Sequence, residues 1–108
     1  MDLTNLRLMS EGDTTFEKEM IETSLSYIPE VMAQLLSEIE QLDFHGIKST
    51  AHKLKSSIFI LGIDDESILN KLEVEDIKDL YTLKQLYFRL ENIQLESMKF
   101  LKIELIKL

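Results

Sequence analysis

The chain has 108 residues, a length that suits one domain with a single hydrophobic core. Apolar residues make up 44% and charged residues 30% of the sequence, which is typical of a folded, soluble protein and not of a disordered one. The formal net charge of -8 has the wrong sign for neutralising nucleic-acid phosphates, so DNA and RNA are excluded as expected partners.

The sequence also indicates where the protein is expected to act and which kinds of site it can form. The first residues lack the basic and apolar parts of a secretory signal, and no apolar run reaches membrane-span length, so we expect a cytoplasmic protein with no membrane partner.

There is no cysteine, which excludes disulfides, thiolate nucleophiles and cysteine metal sites. Three glycines and one proline favour long helices over many short strands. The initial Met1 favours a free-standing protein over a piece of a larger kinase, and we expect a monomer.

The first part of the chain predicts a short helix and then a longer helical region. Residues Leu3 to Met9 can form a leading helix, and Asp13 is the predicted N-cap of a helix that begins at Thr14. The apolar positions of that helix recur at spacings of three and four: Phe16, Met20, Ile21, Leu25 and Ile28. Pro29 lacks a backbone donor, so we expect a kink or a fresh helix start there. A second apolar run follows through Val31, Leu35, Ile39 and Leu42.

The clearest predicted helix follows Asp43, its expected N-cap, and ends near Gly62. Its apolar stripe is Phe44, Ile47, Ala51, Leu54, Ile58 and Leu61. A shorter helix is expected from Asp65 to about Leu72, and a long one from about Asp79 to the C-terminus, where we expect the aromatic residues to pack. The simplest architecture is one all-α domain over the whole chain, an antiparallel up-and-down four-helix bundle with one or two short additional helices.

His52 lies outside the apolar stripe of the helix that follows Asp43. At about 100° per residue it falls roughly 140° from the centre of the stripe and should face solvent. Residues three, four or seven positions away share that face: His45, Lys48, Ser49, Lys55, Ser56 and Phe59. An unprotonated imidazole is a nucleophile, and the ammonium group of Lys55 can stabilise a phosphoryl group placed on it. An ordinary solvated helix face has the same spacing, so the pattern alone leaves both interpretations open.

The neighbours of His52 can form a docking surface for a partner protein. The small side chains of Ser49 and Ser56 leave room for close approach. Phe59 lies off the apolar stripe and can add apolar contact area, and Lys48 can add charge.

Residues 51–63 read AHKLKSSIFILGI. This string resembles the signature of histidine-containing phosphotransfer (HPt) domains, in which Ala-His-x-Leu-Lys-Gly-Ser leads to a Leu-Gly pair. The resemblance extends upstream through Phe16, the Pro29-Glu30 step and residues 35–43, and it covers about half of the chain.

The resemblance implies a four-helix bundle in which His52 accepts a phosphoryl group and Lys55 helps to stabilise it. It implies partners that are receiver domains of response regulators and of a hybrid histidine kinase, with magnesium on the receiver and no cofactor on this chain. Ser56 departs from the family pattern, which commonly has glycine at that position, so we expect an altered partner choice or transfer rate.

Several other activities are disfavoured by the sequence. It lacks a glycine-rich phosphate loop and the kinase motifs that hold ATP and magnesium, so we expect a phosphoryl carrier that is not an enzyme. His45 and His52 are two helical turns apart and neither follows a glutamate by three residues, so no metal site is expected. The leading hypothesis is a phosphorelay intermediate, and the alternative is a helical adaptor that binds a partner without carrying phosphate.

Overall fold

Helices make up most of the described part of the protein. A computed structural model describes residues 3–61 and 66–108, with the side chains of residues 57–60 and 66 outside that description. Within those ranges the chain forms no strand and five α-helices, namely α1 (Thr4–Ser10), α2 (Thr14–Glu40), α3 (Phe44–Leu61), α4 (Glu66–Val74) and α5 (Leu80–Lys107). The predicted all-α class is confirmed.

Three aspartates cap helix starts, and two of them, Asp13 and Asp43, are the N-caps that the sequence predicts. Asp13, Asp43 and Asp79 each accept a hydrogen bond from the backbone N–H three residues later, at 3.1, 3.0 and 2.9 Å. Each bond satisfies one of the helix-start N–H groups that have no partner within the helix. The cap at Asp43 fixes the start of α3, the helix that carries His52.

The core is formed where the apolar faces of the helices meet. α3 packs against α2 and α4, α5 packs against the same two helices, and α1 lies against α2 and α3. The largest fully buried side chains come from all five helices: Leu6, Ile21, Ile28, Leu35, Ile39, Leu54, Leu61, Leu69, Leu72, Leu83, Leu90 and Leu101.

α3 buries the stripe that its periodicity predicts. Ile47, Ala51, Leu54 and Leu61 are each at most 2% exposed, whereas Phe44 is half-buried. The side chain of Ile58 and the predicted stop at Gly62 lie outside the described residues. Burial of this stripe turns the opposite face of α3 towards solvent.

α2 and α5 run antiparallel. Arg7, which lies shortly before the start of α2, forms an ion pair at 3.3 Å with Glu104 near the end of α5. At the other end of the pair, Glu40 closes α2 and interacts electrostatically with Tyr87 in the first part of α5.

The structure corrects two expectations about α2. Of the kink or fresh helix start expected at Pro29, no fresh start occurs, because α2 continues through Pro29 from Thr14 to Glu40. Pro29 is exposed, while Ile28 and Val31 beside it are buried, so core packing holds the helix despite the missing donor. Leu42 does not extend the apolar run: it is 40% exposed and has a left-handed φ of 54°, because the chain turns there between α2 and α3.

The last two helices also differ in detail from the sequence prediction. α4 runs to Val74, two residues beyond the expected end, and its expected start at Asp65 lies outside the described residues. Tyr87 is buried at 4%, as expected, but Tyr81 is 70% exposed, and Phe88 is 53% exposed and contacts Tyr87 edge to face instead of entering the core. None of the helices in the described ranges is both long and apolar enough to cross a membrane.

Candidate functional site

α4 brings a carboxylate to the exposed imidazole of α3. The side chain of His52 is 73% exposed, and its Nδ1 lies 2.8 Å from Oε1 of Glu73. The other carboxylate oxygen, Oε2, accepts a hydrogen bond from Nζ of Lys55 at 2.9 Å. The same Nζ also donates to Oδ1 of Asn70. These four side chains form one connected group, which we call the α3–α4 network.

Helical spacing explains why the α3–α4 network can form. His52 and Lys55 are three residues apart on α3, and Asn70 and Glu73 are three residues apart on α4, so each pair projects from one side of its helix. The buried residues of α4, namely Ile68, Leu69 and Leu72, fix which side of that helix remains for the polar pair.

The charge of Glu73 determines which ring nitrogen of the neutral His52 side chain carries no proton. Hydrogen bonds from Lys55 and then from His52 hold the pKa of Glu73 below its ordinary value of about 4.5, and this outweighs the opposite effect of partial burial. Glu73 is therefore ionised at neutral pH and can only accept hydrogen bonds. Nδ1 of His52 must then carry the proton of the neutral ring, which leaves a lone pair on Nε2.

Lys55 is less exposed than its place on the His52 face of α3 predicts. Its side chain is only 28% exposed, and its ammonium group already pairs with Glu73 and Asn70. The reason is that α4 packs beside α3 and supplies acceptors that the sequence of α3 does not reveal. Lys55 nevertheless has three N–H donors, and these two contacts use two of them.

The remaining residues that were predicted to share the His52 face fall into three groups. His45, Ser49 and Ser56 are exposed on the same face of α3 as His52, as their spacing predicts. Lys48 is half-buried in a narrow cleft between α3 and the segment that joins α4 to α5, so it contributes less to the open face than expected. The side chain of Phe59 lies outside the described residues.

Sequence reasoning missed Glu73 and Asn70. The sequence signal was weak, because Glu73 lies just past the expected end of the shorter helix near Leu72 and only a spacing of three residues connects it with Asn70. That spacing identifies a shared face but does not say which neighbouring helix the face meets.

Among the described residues, no three potential metal-binding side chains of His, Asp or Glu come together. Comparison with protein-family models, curated proteins and solved structures finds no match. The function proposed below therefore depends on the geometry of the α3–α4 network and on the HPt-like string around His52.

Proposed function

We propose that this chain is a histidine phosphotransfer protein of a multistep phosphorelay. Nε2 of His52 accepts a phosphoryl group from the aspartyl phosphate of one receiver domain and passes it to another receiver. The observation that carries the proposal is the 73% exposed ring of His52, whose Nδ1 is held by an ionised Glu73 so that Nε2 is left as the nucleophile.

The transfer needs no proton acceptor. As the bond between Nε2 and phosphorus forms, the bond between phosphorus and the receiver carboxylate breaks, and the receiver aspartate leaves as a carboxylate. The phosphorylated ring keeps its proton on Nδ1 and gains positive charge, which the Glu73 carboxylate at 2.8 Å stabilises. Transfer to a second receiver is the reverse of this step, and magnesium on the receiver supplies charge stabilisation to the phosphoryl oxygens.

Lys55 has two roles in this proposal. Its ion pair with Oε2 of Glu73 fixes the carboxylate that orients His52. Its third N–H donor is available for an oxygen of the phosphoryl group once that group is on His52. Lys55 is therefore both a positioning residue and a ligand for the transferred group.

The fold that we propose with this function is an antiparallel up-and-down four-helix bundle of α2 to α5, with α1 as a short additional helix. It is supported by the closed series of helix contacts, in which α2 meets α3, α3 meets α4, α4 meets α5 and α5 meets α2. We further propose a cytoplasmic location and no resident cofactor.

The experiment that tests the function has two stages. The protein is first treated with phosphoramidate, a small phosphoryl donor that needs no protein partner, and label is measured on wild type, His52→Gln and His45→Gln. His45→Gln is the matched control because His45 is also exposed on this face of α3. Purified receiver domains with magnesium are then added to the labelled protein. We expect label on wild type and His45→Gln, none on His52→Gln, and rapid removal by a receiver.

Either of two results would contradict the proposal. Label that persists in His52→Gln would place the acceptor elsewhere. Receivers that remove the phosphoryl group no faster than water does would show that it is not a relay intermediate.

A helical adaptor remains the second candidate, because α5 exposes large apolar side chains, among them Phe88 at 53% and Leu95 at 52%. The two functions differ in their dependence on His52. An adaptor keeps its partner and output in His52→Gln, whereas a phosphorelay intermediate loses its output.

A further inference from the structure

The outer surface between α2 and α5 carries two stripes with the same spacing. Both stripes follow successive steps of four, three, four, three and four residues, which places each on one side of its helix. The α2 stripe is Glu22, Ser26, Pro29, Ala33, Leu36 and Glu40. The α5 stripe is Lys84, Phe88, Glu91, Leu95, Met98 and Lys102. We call the surface formed by both stripes the α2–α5 face.

The middle of the α2–α5 face is apolar and uneven in side-chain size. Phe88 and Leu95 on α5 are each more than half exposed. Pro29 and Ala33 on α2 are small and exposed, and they line a groove of about 320 Å³ between the two helices. A partner surface fits this arrangement if it places small side chains opposite the large ones of α5 and large side chains opposite the small ones of α2.

The ends of the two stripes carry opposite charge. The α2 stripe begins and ends with a carboxylate, at Glu22 and Glu40, and the α5 stripe begins and ends with an ammonium group, at Lys84 and Lys102. Across residues 3–61 and 66–108, none of these four side chains takes part in an ion pair within the chain. Because α2 and α5 are antiparallel, Glu40 and Lys84 lie at one end of the face and Glu22 and Lys102 at the other.

We propose that the α2–α5 face binds a second copy of this chain about a two-fold axis parallel to the helices. That axis sets α2 of each copy against α5 of the other. Glu40 then meets Lys84 of the partner subunit, and Glu22 meets Lys102 of the partner subunit. In this register Leu95 enters the small-residue part of α2 at Pro29 of the partner subunit, and Phe88 packs against Leu36 of the partner subunit.

Charge selects this axis over the other in-plane two-fold axis. An axis perpendicular to the helices would set α2 against α2 and α5 against α5, and so would bring carboxylates to carboxylates and lysines to lysines. Glu91 is the exception within the α5 stripe. It is hydrogen-bonded to Tyr87 in its own chain, and the register places it opposite Ala33 of the partner subunit, so it meets no like charge.

This dimer is independent of the proposed phosphotransfer. His52 lies on α3 beside α4, and in the described part of the chain no Cα atom of α3 comes within 8 Å of a Cα atom of α5. Both imidazoles therefore remain open in the dimer, and failure of one proposal leaves the other intact. The sequence alone had led us to expect a monomer, because it does not show that the two stripes are neighbours.

The test is the mass of the full chain in solution, measured by analytical ultracentrifugation from about 1 μM to about 1 mM. We expect the mass to rise from one chain to two over that range. Leu95→Glu should weaken association at least about 100-fold, because symmetry buries two new carboxylates in each dimer. The matched control is Ile103→Glu, since Ile103 is 55% exposed on the same helix but outside the α5 stripe. It should leave association unchanged.

A charge reversal tests the register separately. Lys102→Glu should weaken the dimer about tenfold, and adding Glu22→Lys should restore it to within about threefold of wild type. Circular dichroism is to be measured on each variant, as a control that the variant remains helical. If the measured mass stays at that of one chain over the whole concentration range, the proposal is overturned and the α2–α5 face is left to another partner. Equal effects of Leu95→Glu and Ile103→Glu, or no recovery in the double variant, also overturn it.

Discussion

Replacing Glu73 by glutamine separates the charge of the carboxylate from its hydrogen bond to His52. The amide oxygen of the glutamine can still accept from Nδ1, which lies 2.8 Å from the carboxylate in the native protein, so the ring tautomer is kept. The negative charge that stabilises the phosphorylated ring is lost, and the ammonium group of Lys55 loses its charged partner at 2.9 Å. We therefore expect slower phosphorylation of His52.

The expected size of the rate loss depends on the exposure of the His52 ring. Carboxylates that orient metal-binding histidines contribute about 10–100-fold to activity, and we take the same range for an oriented nucleophile. Because the His52 side chain is 73% exposed, water screens part of the effect. We expect a rate loss of about tenfold for Glu73→Gln, and of up to about 100-fold for Glu73→Ala, which removes the hydrogen bond as well.

The assay is the initial rate of phosphoramidate labelling at neutral pH, read by intact-protein mass spectrometry. Glu75→Gln is the matched control, because Glu75 is an exposed carboxylate two residues away and makes no bond to His52. If Glu73→Gln reacts as fast as Glu75→Gln, the carboxylate has no part in the chemistry and the reasoning is refuted.

Four further results are expected. Lys55→Ala should shorten the phosphohistidine lifetime several-fold by ³¹P NMR while changing the free energy of unfolding by at most about 1 kcal/mol; an unchanged lifetime removes Lys55 from the mechanism. Asp43→Ala should lower the free energy of unfolding by about 1 kcal/mol, seen as a drop of about 4–8 °C in Tm; an unchanged Tm means that the cap is not stabilising. Leu54→Ala, at a site that is 0% exposed, should cost about 2–5 kcal/mol in urea unfolding, and a loss below 1 kcal/mol would contradict its place in the core. Because the pKa of Glu73 is lowered in the folded state, the stability advantage of wild type over Glu73→Gln should be fully present above about pH 4.5 and disappear as the pH falls further; an advantage that persists at lower pH contradicts this.

The sequence predicted the features that are local to one helix. The predicted caps at Asp13 and Asp43 depend on a carboxylate and an N–H three residues later, so they can be recognised without knowing the fold. The outward direction of His52 follows from the period of α3 itself. Both features are set by contacts within a single segment.

Features set by packing between helices were not predictable in this way. Periodicity divides a helix into faces but does not say which helix each face meets, so the pairing of Glu73 with His52 was missed. The same limit applies to Phe88, which was expected to pack in the last helix and proves to be 53% exposed. Pro29 shows the converse case, in which tertiary burial of Ile28 and Val31 keeps a helix intact where local chemistry predicts a break.

The position of the phosphoryl group on the ring is the most direct test of the central claim. Protein labelled with ¹⁵N at histidine can be phosphorylated and followed by ¹H–¹⁵N and ³¹P NMR. Phosphorus bonded to Nε2 of His52, with the proton retained on Nδ1, is the predicted result. Phosphorus on Nδ1, on His45, or on neither imidazole would contradict it.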